Sequence, residues 1–245
     1  MLTLSWQVLG REYSIRGEIS DETYLNFKKA LAENTADPIT RVYLNSSGGA
    51  FFPAIAIGRL IQTHQLDVEV GRYCASSCAN YLFLAGKTKY LNRRSLVVFH
   101  GGMQQDNMFQ QLDHLIRYRQ NPLGEKDYEG VVFNKPINRE IALDIGIEDL
   151  FKQRDPASIY RDLKWIEDSY FLSLGIDPLI TVYGQRGNYY ALYHSKRFKG
   201  FYYDLASFKA FGVQNVKVKG GKWRPWRGDK YNKFYPVTVN TQHED

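Results

Sequence analysis

Arg41-Val-Tyr-Leu-Asn-Ser-Ser-Gly-Gly49 is the stretch on which the fold turns. Arg41 to Leu44 reads as a buried-type strand, and Asn45 to Gly49 as a turn cluster whose two glycines are free to take positive φ. A helix follows, with Ala54, Ile57, Leu60 and Ile61 as its core face. The same grammar extends outward on both sides. Upstream, Tyr13–Ile19 reads as a strand; Ser20 and Asp21 then offer N-cap oxygens to a helix whose Tyr24, Phe27 and Leu31 share one face. Downstream, Val68–Val70 is a strand broken at Gly71, Ser76 to Leu84 reads as an apolar helix ending at Gly86, and Leu96–Phe99 is a strand running straight into His100-Gly-Gly102. Repetition of strand, turn and helix implies a layered α/β body, with the strand ends as the natural place for chemistry.

Beyond His100 the pattern weakens. Residues 103–155 are rich in Gln, Asn, Asp and Arg and read as helical or irregular surface structure. Tyr160–Leu174 is a helix with Leu163, Ile166, Tyr170 and Leu174 on one face, and Phe201 to Val218 reads as strand, cap at Asp204, helix through Phe211, stop at Gly212 and final strand. From Gly220 the periodicity dissolves into Gly, Lys, Trp, Arg and Pro.

The chain has 245 residues, of which 44% are hydrophobic and 24% charged, a balance that excludes wholesale disorder and fibrous repeats. No apolar run approaches the roughly 18 residues of a membrane span. The formal net charge is +6, but from Lys217 onward seven Lys and Arg against three Asp and Glu give +4, leaving +2 on the preceding 216 residues. The basic signal is therefore mostly a property of the tail. Lys222-Trp-Arg-Pro-Trp-Arg227 and Lys230-Tyr-Asn-Lys-Phe-Tyr235 interleave cations and rings. Such a tail contacts an anionic partner, stacking bases or lying on an anionic membrane, or it packs its aromatics on the body and turns its cations outward. Met1-Leu-Thr-Leu-Ser-Trp lacks the features of a secretory signal, so the cytoplasm is expected if Met1 is the native start.

Gly48-Gly49, Ser77 and His100 all fall at strand or helix ends. A serine hydrolase needs this set: an imidazole to take the proton of a weak hydroxyl nucleophile, and backbone N–H groups to stabilise the negative charge of the tetrahedral intermediate. A serine at a helix start also lies near unpaired N–H groups and the positive end of the dipole. Each part has a plainer reading: a glycine pair that is only a turn, a serine that only caps, a histidine satisfied at a strand end. His64, His114, His194 and His243 show no partner pattern, and Cys74 and Cys78, a CxxxC pair without further ligands, do not make a metal site. No cofactor is called for.

In order and combination, Val42-Tyr-Leu-Asn-Ser-Ser-Gly-Gly49, Gly71-Arg-Tyr-Cys-Ala-Ser-Ser-Cys-Ala-Asn-Tyr-Leu-Phe-Leu-Ala-Gly86 and Ser95-Leu-Val-Val-Phe-His100 resemble the Clp protease proteolytic subunit and its relatives. The Cys-Ala-Ser-x-Cys version resembles most closely the ClpP-like proteins described as predicted periplasmic proteins. The match covers roughly residues 13–102 and, more loosely, 198–218. The resemblance implies a ClpP/crotonase-like spiral of β-β-α units over residues 1–218, with a helical or irregular insertion within 103–197 and a basic aromatic tail at 219–245. It implies Ser77 as nucleophile, His100 as general base, and the N–H groups of Gly49 and Cys78 as oxyanion hole. It further implies a peptide or protein substrate, a homo-oligomer and a periplasmic or envelope location; whether an unfoldase partner exists is left open.

Three departures stand out. Ser47 replaces the family proline in the first turn. The family's third, acidic member aligns with Gly200 or Phe201, leaving Asp204 as the nearby candidate acid, against which stands its role as a helix N-cap. The stretch between His100 and the closing unit is longer than in the peptidase, and the helix that assembles the family's double ring is not recognisable. Cys74 and Cys78 flank Ser77 and are either a local disulfide that sets its direction, requiring an oxidising compartment, or two buried thiols. The expectation is a ClpP-like serine hydrolase, a peptidase working through a Ser77 acyl-enzyme; the alternative is a non-hydrolytic peptide- or acyl-binding or scaffold protein of the same fold.

Overall fold

Val42, Leu44, Val68 and Val70 are wholly buried, and the two strands that carry them form the middle of a parallel sheet. The computed structural model describes residues 10–33, 36–111, 131–132, 135–136, 138–147, 156–225 and 233–239. Much of the insertion and the central part of the basic tail, including Trp226, Arg227 and Lys230, lie outside the described residues.

The six-stranded sheet runs β1 (Arg11–Ile19), β2 (Ile39–Gly49), β3 (Asp67–Ala75), β4 (Lys89–Asn92), β9 (Val216–Lys219), with β5 (Leu96–Val98) also on β3. All its pairings are parallel, so the chain must cross over between neighbours, and helices α1 (Asp21–Glu33) and α2 (Phe51–Thr63) make the first two crossovers. β3 changes partner halfway. Val68–Val70 pairs with Lys89–Leu91, whereas Tyr73–Ala75 pairs with Leu96–Val98. At that change the Asn45 side-chain oxygen accepts from the Arg72 and Tyr73 amides, 3.3 and 3.4 Å, filling the ladder where β2 and β3 slip register.

Helix α1 is capped as its sequence suggests, the Ser20 hydroxyl accepting from Thr23 N at 3.3 Å and the Thr23 hydroxyl from Ser20 N at 3.2 Å. It buries Tyr24 and Phe27. Helix α2 is apolar nearly all round, and accordingly neighbours cover it on most sides: α1, the sheet and, from helix α5 (Pro156–Leu174), Tyr170. Gly58 makes that packing possible: a Cβ there would lie 2.1 Å from the Tyr170 hydroxyl oxygen.

Several sequence expectations are revised. Asn45–Gly49 is no free turn; β2 continues through Gly49, paired with β1 as far as Ile19. Gly48 at φ +92° lets the strand bend without breaking. The helix expected from Ser76 begins one residue later, because Ser76 itself is left-handed (φ 58°), and its central part, α3 (Cys78–Phe83), is π-helical. The Tyr170 hydroxyl donates to the Tyr81 carbonyl at 2.5 Å, and a side chain that takes a main-chain carbonyl competes with the regular helical ladder. Downstream, 3-10 turns occupy Pro178–Thr181, Tyr183–Gln185 and Gly187–Tyr189, followed by α6 (Tyr190–His194). The closing unit matches its reading: β8 (Gly200–Tyr203), the Asp204 cap, α7 (Leu205–Ala210) and β9.

Past Gly220, where the pattern gives no element, Phe234–Val237 forms β10, parallel to β8. Trp223 Nε1 donates to the Ser95 carbonyl at 2.9 Å, and the Tyr235 hydroxyl to the Gly184 carbonyl. The described parts of the tail thus pack on the body. A short antiparallel hairpin, β6 (Val131–Val132) with β7 (Lys135–Pro136), and helix α4 (Arg139–Ile145) are the described elements of the insertion before α5. No described helix is long and apolar enough to cross a membrane.

Candidate active site at the strand ends

β2 and β5 both pair with β3 in parallel, so their ends leave the same edge of the sheet: Gly49 ends β2, Ser77 stands two residues past the end of β3, and His100 two past the end of β5. The ladders themselves stop at Ser46 with Cys74 and at Ala75 with Val98. The Ser76 amide still reaches back to the Val98 carbonyl at 3.0 Å, carrying the pairing up to the residue before Ser77.

The glycine turn is pressed against Ser77. A Cβ on Gly48 would lie 2.6 Å from the Ala75 carbonyl oxygen, 2.7 Å from Ser76 Cβ and 2.9 Å from the Ser77 amide nitrogen. Only a residue without a side chain fits there at that φ. Ser46 ties the turn down: its hydroxyl donates to the Gly17 carbonyl at 2.6 Å and accepts from Gly48 N at 3.0 Å.

Ser77 is 8% exposed, and its hydroxyl donates to the Gly49 carbonyl at 2.9 Å. The group of Gly49 that meets the hydroxyl is thus its carbonyl. Among the described residues no hydrogen bond joins Ser77 to His100. Ser76, left-handed and non-glycine, holds the sharp change from strand to helix just before Ser77, a costly backbone state of the kind that gathers at functional sites. Cys74 and Cys78 are joined by a disulfide across this bend, their Cα atoms 5.3 Å apart. Of the two sequence alternatives, the bridge is the one present.

His100 presents an exposed edge, while protein packed around the ring disfavours its charged form and holds its pKa below the ordinary 6.5; a hydrogen bond with its own backbone pulls the other way. Its carbonyl accepts from Gln185 Nε2 at 2.8 Å. Among the described residues, no acid stands where the resemblance would put one. A Cβ on Gly200 would lie 2.6 Å from the Phe99 carbonyl oxygen and 3.2 Å from His100 Cβ. Phe201 is wholly buried, bridged to Phe99 by two 2.8 Å backbone bonds and stacked on its ring. Asp204 caps α7, accepting from Ser207 N at 2.7 Å.

One buried acid escaped the sequence reading. Glu167 of α5 is 0% exposed. It accepts from the Tyr81 hydroxyl at 2.6 Å and from the Met103 amide at 2.7 Å. Burial raises its pKa to about 7, against the opposing pull of these two donors. A signal was present: Glu167 stands four residues after Leu163 and three before Tyr170, squarely on the apolar face. Among the described residues no group of His, Cys, Asp and Glu could hold a metal ion.

No protein-family model and no curated protein matches this sequence. Among solved structures, the chain is similar to a point mutant of ClpP1 from Listeria monocytogenes, at 21% identity over 62% of this chain and 78% of that chain, with a TM-score of 0.35. The chemistry considered next rests on the strand-end geometry and the sequence motifs.

Proposed function

We propose that this protein is a ClpP-like serine hydrolase of the crotonase type, a peptidase that forms an acyl-enzyme on Ser77 with His100 as general acid and base. The observation that carries the reading is that Gly49, Ser77 and His100 follow the ends of strands paired in parallel, with the Ser77 hydroxyl bonded to Gly49. A lowered pKa leaves His100 neutral and able to accept a proton at pH 7.

The first step is a change of hydrogen bond. Ser77 Oγ leaves the Gly49 carbonyl and turns toward His100, which takes its proton as Oγ attacks the substrate carbonyl. The intermediate's oxygen is met by the N–H groups of Gly49 and Cys78. In support, the Cys78 N–H opens α3 and meets no acceptor among the described residues. His100 then returns the proton to the leaving amine, and water repeats the sequence to release the acyl group. With no carboxylate bonded to it among the described residues, His100 works in a dyad, which implies slow turnover. The disulfide at the bend favours an oxidising compartment. A homo-oligomer and a peptide or protein substrate belong to the same proposal.

A second reading, a non-hydrolytic binder of peptide or acyl ligands, draws on one observation: the Ser77 hydroxyl is engaged by Gly49 rather than by His100. A fluorophosphonate probe separates the two. Labelling at Ser77 that is lost in Ser77→Ala and His100→Ala is expected, with a rate that rises with pH through a midpoint below 6.5. An unlabelled wild-type protein that still binds peptide would establish the second reading.

A further inference from the structure

Helix α3, which begins beside Ser77, and the loop that follows His100 are different stretches of chain, yet both are held by one side chain from a third. Glu167 Oε1 accepts from Tyr81, four residues past Ser77, and Glu167 Oε2 from the amide of Met103, three residues past His100. Gly102 permits this: a Cβ there would lie 2.9 and 3.1 Å from the two carboxyl oxygens and 2.7 Å from Thr181 Oγ1. Tyr170, one turn along α5, takes the Tyr81 carbonyl at 2.5 Å, so α5 grips Tyr81 at both ends. A direct tie runs in parallel, from Asn80 Nδ2 to the Gly101 carbonyl at 2.8 Å.

We infer that Glu167 is a positioning residue that fixes the relative placement of Ser77 and His100, bridging the helix of one to the loop of the other through Tyr81 and the Met103 amide. The inference rests on the hydrolase reading above. A buried carboxylate serves this purpose better than an apolar group because it accepts two charge-assisted hydrogen bonds at once from separate segments. Protonated, it donates its O–H to the Tyr81 hydroxyl oxygen and keeps only a neutral acceptor bond from Met103, so the bridge slackens. Among the described residues, the charged and titratable groups acting on it are Tyr81 from α3, and Asp168 and Lys164 on its own helix, which pair with each other at 2.5 Å. A carboxyl titrating near pH 7 makes the bridge responsive in the neutral range.

The test uses the full chain in three forms: wild type, Glu167→Gln and Glu167→Ala. Gln can satisfy both partners, its oxygen accepting from Met103 and its amide donating to Tyr81, and so stands for the protonated acid. Fluorophosphonate labelling of wild type is expected to show two pH inflections, one below 6.5 from His100 and one near 7. Glu167→Gln should lose the upper inflection and keep the lower, while Glu167→Ala labels about 10- to 100-fold more slowly at every pH. Hydrogen exchange of peptides covering 78–85 and 100–105 is read alongside, with faster exchange in both segments expected for Glu167→Ala. Wild-type labelling rates and pH profile in both variants overturn the bridge and leave the hydrolase standing. Faster exchange in Glu167→Ala without labelling in any form overturns the hydrolase and leaves a purely structural bridge.

Discussion

His100 has two unlike flanks. On the Ser77 side the chain carries glycine, left-handed backbone and polar side chains that reach main-chain groups: Gly48, Ser76, Asn80 and, from α5, Glu167. Toward β8 lie rings: Phe99, Phe201, Tyr203 and Phe208 are all buried and linked through centroid distances of 5.4 to 6.3 Å. Polar groups that must move protons need backbone-level precision and tolerate strain; rings need only volume. The contrast teaches that the polar, strained backbone lies on the Ser77 side, while Gly200 and Phe201, where the resemblance put an acid, are packed into the core.

If the ring flank is core, Phe201→Ala should cost about 3–5 kcal/mol by chemical denaturation; a loss below about 1 kcal/mol would dissolve the contrast. On the polar flank, Glu167 adds a pH-dependent term. Its folded pKa lies above its unfolded one, so its contribution is full below about pH 4.5 and is lost as pH rises through about 7. Stability should therefore fall on the order of 3 kcal/mol more steeply over that window in wild type than in Glu167→Gln. Gly48→Ala, with a Cβ forced against the Ala75 carbonyl at positive φ, should lose roughly 2 kcal/mol and abolish labelling of Ser77. A Cys74→Ala, Cys78→Ala double variant should lose about 2 kcal/mol, since the closed loop is short; an intact mass two hydrogens below the reduced chain checks that the bridge is present. The smallest effect, about 1 kcal/mol, is expected from Tyr235→Phe, which deletes the hydroxyl donated to the Gly184 carbonyl and keeps the ring in the aromatic cluster.

Local pattern was a good guide where a residue's neighbours in sequence are also its neighbours in space. The Ser20 cap, the apolar face of α1, the sheet strands other than β4 and the Asp204 cap all follow from spacing and side-chain chemistry within a few residues. Asp204 shows the limit of such reading used for function, since one oxygen at an N-cap position can be proposed as an acid until its bond to Ser207 is seen. β10 carried no signal because a strand of four residues with Pro236 in it is recruited by β8 and not by its own alternation.

By itself the sequence determined the β-turn-α order, the glycines at the first turn, and the order of Ser77 and His100 along the chain. Tertiary structure decided what those residues meet. Parallel pairing depends on crossovers many residues long, so only the folded sheet brings the strand ends followed by Gly49, Ser77 and His100 to one edge. The direction of the Ser77 hydroxyl, the bridge between Cys74 and Cys78, and a carboxylate reaching from α5 to two other segments are likewise long-range choices. Spacing along a chain leaves them open because each is fixed by packing between parts that folding alone brings together.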